Sequence, residues 1–146
     1  MHDLGLAIVH HLLVFGLVAM LASERTLLKA SAIDVKRLAR LDGGYGLTAA
    51  LVVVVGAARA VWGGKGWAYY ADNPYFWGKM GVFTAIGLLS VGPTMMFLRW
   101  AKQAKADAAF QPEPGELKRA RAWVGLELLL ILPLVALAAA MARWPF

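Results

Sequence analysis

Five ionisable side chains interrupt long apolar stretches of this 146-residue sequence: His10, His11, Arg59, Lys79 and Glu127. A charged group near the centre of a hydrophobic span costs roughly 2.5–3.5 kcal/mol on insertion scales, so each is a site hypothesis by default. The chemistry they offer is narrow. Imidazole can ligate a metal or a porphyrin iron, arginine and lysine can hold carboxylates such as propionates, and a buried carboxyl can pair with a cation or relay a proton. His10 and His11 are adjacent and project about 100° apart. Only one of them can therefore serve a given metal or porphyrin face, while the other meets a neighbouring helix. A neutral histidine hydrogen-bonded between helices is the plain alternative. A zinc site needs three or four ligands, and the remaining histidine is His2. Cysteine is absent, which excludes disulfides, iron–sulfur clusters and thiolate metals.

The elements that must position these residues are membrane helices. Hydrophobic residues make up 60% of the chain, charged residues 16%, and the mean hydropathy is +0.61, against about 25% charged in ordinary soluble domains. The apolar residues gather in four runs, about 4–22, 45–62, 77–99 and 123–142. Each is close to the ~20 residues that cross a hydrocarbon core, and none alternates with period two. The fold class is therefore all-α, a single integral-membrane four-helix bundle. Ala22-Ser23 resembles a cleavage site, but Met1-His2-Asp3 lacks the basic start of a signal peptide. The net charge of +6 does not indicate nucleic acid, because the cations sit at the ends of the apolar runs, where anionic lipid selects them. Eleven of the 15 Lys/Arg lie in the segments after the first and third runs, counting Arg99 at the very end of the third. The positive-inside rule makes those segments cytoplasmic and both termini periplasmic. Residues 63–76, with Trp67, Tyr69, Tyr70, Tyr75 and Phe76, then form an outer interfacial belt.

Depth and helical phase group the candidates. Counted from the outer ends, His10 and His11 lie about two turns in, Arg59 about one and Lys79 less than one. Arg59 shares a stripe with Gly56, Val52, Thr48 and Tyr45, which predicts an interior face. Lys79 is in line with Phe83, Ile86, Ser90 and Pro93. Snorkelling to the headgroups is the alternative for both cations. Glu127 falls about one turn inside the cytoplasmic end of the last run. Arg25, Arg99 and Glu24 sit at the same level, which predicts a structural ion-pair cluster of Glu127 with Arg99 or Arg25, a proton relay being the other reading. Pro93 and Pro133 release the carbonyls of Leu89 and Leu129 and mark expected kinks.

Taken together, the His10-His11 pair, Glu24, Asp42 with Tyr45-Gly46, Gly56 with Arg59, Lys65-Gly66, Tyr69-Tyr70, Asn73 with Phe76-Trp77 and Lys79, and Ser90, Pro93-Thr94 and Arg99-Trp100 resemble a family of uncharacterised four-helix bacterial inner-membrane proteins. More remotely, the layout is similar to HemJ-type protoporphyrinogen oxidases and the copper-resistance D membrane domain. The HemJ likeness rests on His10 or His11, Arg25, Trp77 and Lys79. It implies haem b held by a helix 1 histidine and porphyrin chemistry; with Arg59 and Lys79 as cations for propionates and Trp77 beside them, the residues then suggest redox chemistry on a porphyrin or quinone. The chain departs from that pattern at Gly78 and in residues 97–100, where further histidines are expected.

Three functions follow. The first is a haem- or porphyrin-binding membrane protein with oxidoreductase activity; the second is a small-solute or copper permease; the third is a structural or assembly protein without a cofactor. The bilayer is the expected partner in all three, and the small Gly and Ala faces are compatible with a homodimer.

Overall fold

The computed structural model describes residues 2–145, and these form five helices and no strand: α1 (His2–Leu27), α2 (Val35–Trp62), α3 (Gly66–Ala71), α4 (Pro74–Ala106) and α5 (Pro114–Arg143). α1, α2, α4 and α5 are each long and apolar enough to cross a membrane. The protein is an all-α membrane bundle whose outer surface meets lipid. α1 packs on α2 and α5, α2 on α4, and α4 on α5, so four antiparallel neighbours close a ring.

The four apolar runs fall inside the four long helices, but each helix continues beyond its run toward the two basic loops: α1 to Leu27, α2 from Val35, α4 to Ala106 and α5 from Pro114. Hydropathy reads the thickness of hydrocarbon, whereas a helix ends where its backbone is capped. The Asp34 side chain accepts the Arg37 amide at 2.9 Å to start α2, Asn73 accepts the Tyr75 amide at 3.0 Å to start α4, and a proline opens both α4 and α5, as suits a first helical position. The short α3 within the aromatic segment is not visible in hydropathy. Gly66, at φ +72°, supplies the left-handed residue that turns the chain into it.

The core sits mainly at the basic-loop end. Leu21, Leu28, Leu38, Phe97, Trp100, Ala120 and Val124 are buried there. The loops are tied across the bundle: the Ile33 amide donates to Gln111 Oε1 at 2.8 Å, the Gln111 amide returns a bond to the Ile33 carbonyl at 3.3 Å, and Arg121 Nε donates to the Leu28 carbonyl at 2.7 Å. At the opposite end α3 caps α5. The Tyr69 hydroxyl meets the carbonyls of Met141 (2.6 Å) and Trp144 (2.9 Å), the Asn73 amide donates to Met141 (3.1 Å), and Lys65 Nζ donates to Ala142 (3.1 Å). These partners satisfy terminal carbonyls that a helix cannot satisfy itself.

Candidate functional site

Between the four long helices, at the end that carries α3, lies a cavity of about 260 Å³. Its walls are almost wholly apolar, built from Val14, Val52, Ala60, Met80, Phe83 and Leu134 among others, with Trp67 and Phe76 nearest α3. His10 from α1 and Lys79 from α4 are its charged or ionisable lining. The imidazole fits because α2 presents Gly56 opposite it: a Cβ at that position would stand 3.2 Å from His10 Cε1. His10 Nδ1 is buried without a close hydrogen bond, the Val52 backbone of α2 being near enough to act on the ring. The Lys79 ammonium lies 5.8 Å from the centre of the Phe76 ring, within cation–π range.

The adjacent histidines are thereby separated. His11 points away from the cavity, exposed on the bundle surface, and its Nδ1 donates to the Ala7 carbonyl one turn back at 2.6 Å. The two rings stand edge to face with centroids 6.2 Å apart. Arg59 flanks the cavity without lining it. It is close enough to act electrostatically on His10 and Lys79, and its Nε is buried without a partner. Trp77, expected at the site, is 54% exposed and donates its indole N–H to the Ala71 carbonyl at 2.9 Å. One residue of helical rotation puts Phe76 into the cavity and Trp77 on the outside. Of the expected constellation, then, His10 and Lys79 share a cavity, Arg59 stands beside it, and His11 and Trp77 are elsewhere.

The second group of candidates lies toward the basic-loop end, and the expected ion pair of Glu127 with Arg99 or Arg25 does not form. Glu127 accepts a hydrogen bond from the Tyr45 hydroxyl at 3.2 Å. Arg99 is bound instead to Glu116, whose other oxygen accepts the Trp100 indole N–H at 2.8 Å. This is the one salt bridge among the described residues. Arg25 reaches the backbone of α5, with Nη1 3.4 Å from the Arg121 carbonyl. It lies where a Cβ on Gly125 would stand. Glu24, also expected in the pairing, is buried with Oε1 unpartnered. Depth does not fix azimuth, and the arginines find partners on other faces.

Sequence reasoning missed two members of this group. Asp42 is buried and accepts the Thr94 hydroxyl at 2.9 Å. It lies one turn from Tyr45 on the buried face of α2, a spacing that could have flagged it. Glu116 lies before the last apolar run, outside the span that hydropathy marks, so hydropathy gives no sign of it as the partner of Arg99.

A family model described as "Predicted membrane protein (DUF2214)" matches residues 2–144. No curated protein and no solved structure matches the chain, so the remoter likenesses to HemJ-type oxidases and the copper-resistance D domain gain no support from these comparisons.

Proposed function

The chain belongs to this family of predicted membrane proteins, and from that premise we propose that it binds a planar, apolar, anionic ligand, haem b or a related porphyrin, through His10 and Lys79. The observation that carries the reading is the His10 imidazole, which lines an apolar cavity and whose buried Nδ1 makes no close hydrogen bond. A buried polar atom left unpaired costs about 1–3 kcal/mol, and a ligand that bonds it recovers that cost. His10 would offer a ring nitrogen to the metal or pyrrole centre, and the Lys79 ammonium a charge-assisted bond to a propionate. Arg59 adds positive potential beside them. When bound, haem supplies electron transfer; the chain's own part is to hold the ring, exclude water and set the charge around it. At about 260 Å³ the cavity is slightly smaller than the ~300–1,000 Å³ of typical ligand sites, so it would enclose only part of a macrocycle. The bias of Lys/Arg toward two loops supports insertion in a bacterial inner membrane with the cavity end outward. A permease is less well supported, because buried Leu17, Val52 and Ile86 leave no polar path along the bundle.

The test is the absorption spectrum of protein purified in mild detergent from haem-replete cells, repeated after reduction. A Soret band that His10→Ala abolishes, His11→Ala leaves intact and Lys79→Gln weakens supports the site. Colourless protein whose addition to haem produces no spectral shift overturns it.

A further inference from the structure

Away from the cavity, three carboxyl groups from three helices are buried at the basic-loop end: Glu24 of α1 is 1% exposed, Asp42 of α2 4% and Glu127 of α5 1%. They are mutual electrostatic neighbours, Glu24 acting with both Asp42 and Glu127, and Tyr45 with all three. We propose that Glu24, Asp42 and Glu127 form a proton-binding site, a cluster that holds fewer negative charges than carboxyls and exchanges protons with the medium.

The inventory of partners carries this. Two hydroxyls serve the group, Tyr45 on Glu127 and Thr94 on Asp42. Glu24 receives nothing, and its buried Oε1 stands unpartnered against the other two acids. The cations at this level on α1, α4 and α5 are engaged elsewhere, and Arg40, two residues before Asp42 on α2, is exposed on the surface. On α1, Arg25 turns to the α5 backbone; on α4, Arg99 is held by Glu116; on α5, Arg121 binds the Leu28 carbonyl. Three carboxylates left ionised would repel one another in a medium of low dielectric with no counter-charge. A neutral acid removes a charge and adds an O–H donor, which is what a cluster rich in acceptors and poor in donors lacks. The alternative counter-ion is a metal, but no group of three or more His, Asp or Glu among the described residues is arranged to hold one. Among the other described acids, Asp34, Asp72, Asp107 and Glu113 are exposed and Glu116 has a cation partner, so none of them shares this setting.

Infrared spectroscopy of the full chain in lipid nanodiscs reads the state of these groups directly. A carboxylic-acid C=O band is expected at neutral pH. It should shift in deuterated buffer, fade as the pH is raised, and lose part of its intensity in Glu24→Gln and in Glu127→Gln. The wild-type titration needs no variant, so it stands even if a substitution prevents folding. Absence of the band at neutral pH overturns the proposal, as does a band unaffected by Glu24→Gln, Glu127→Gln and Asp42→Asn in folded protein. A band that sodium or potassium removes at constant pH also overturns it, by assigning the site to a cation.

Discussion

The two ends of the bundle are built from the same four helices and the same apolar residue types, yet one is packed and the other is hollow. At the basic-loop end Leu21, Leu28, Leu38, Phe97 and Trp100 are buried, the Phe97 and Trp100 rings lie 5.6 Å apart, and both loops are fastened across the ring of helices by Gln111 and Arg121. At the α3 end α1 and α2 contribute small residues to the interior, Val14, Val52, Gly56 and Ala60, opposite larger ones of α4 and α5, and a cavity remains among them. Polar groups divide in the same way. The packed end sets a hydroxyl on two of its three buried acids, while the hollow end turns an imidazole and an ammonium toward an apolar cavity. In a bilayer, lipid tails are as apolar as leucine, so helices associate through packing and hydrogen bonds rather than through exclusion of water. An end that forgoes packing must be held by something else. Here the hydrogen bonds of Tyr69, Asn73 and Lys65 to the last turn of α5 do that, leaving the interior free.

If that contrast is right, truncation should be felt unequally. Trp100 is fully buried and also donates to Glu116; Trp100→Ala should lower stability by about 3–5 kcal/mol, the range for a large aromatic removed from a packed site. Met80→Ala only enlarges a space that already exists, and should lower it by less than about 2 kcal/mol. Unfolding both variants by denaturant titration in detergent micelles compares them. Equal losses would show that the α3 end is packed after all.

The same contrast explains what could be read from the sequence. The four spans were legible because hydrocarbon demands unbroken runs of apolar residues, and the interior stripe of Tyr45, Val52 and Gly56 was legible because helical phase is regular. The helix extensions were not, since residues 35–44 and 114–122 are polar enough to end a span without ending a helix. That gap hid Glu116, and with it the true partner of Arg99. Which histidine faces inward was equally hidden: the stripes of His10 and His11 are both apolar, and the choice depends on Gly56, a residue on another helix. Glu127 was correctly taken as a buried carboxyl, but its partner is a tyrosine hydroxyl, because Arg25 is drawn across Gly125 to the Arg121 carbonyl.

A smaller effect is expected where α3 holds α5. Tyr69→Phe removes a hydroxyl that meets two terminal carbonyls and accepts from Lys65. A net loss of about 1 kcal/mol fits the usual worth of such a bond, and it should be local. Hydrogen–deuterium exchange should rise in the last turn of α5 and in α3 while the basic-loop end keeps its protection. Uniformly faster exchange would mean that the two ends unfold as one unit, and the division drawn above would lose its energetic meaning.

The smallest effect on stability should come from Gly56→Ala, and it is the sharpest probe of the hollow end. Alanine favours a helix interior over glycine by about 1 kcal/mol, which here is offset by a new methyl 3.2 Å from His10 Cε1 and 3.7 Å from Nδ1. The two terms nearly cancel, so the net change should stay within about 0.5 kcal/mol. The imidazole, however, must tilt away from α2, and a ligand that depends on its direction should bind several-fold more weakly. Gly46→Ala is the matched control: it lies on the same helix with nothing within 4 Å of the added carbon, and should gain helix stability with binding unchanged. Haem titration of both variants separates the outcomes. If Gly56→Ala binds as well as the parent, the approach of α2 to His10 does not orient the ring, and the hollow end is spare volume between helices instead of a shaped site.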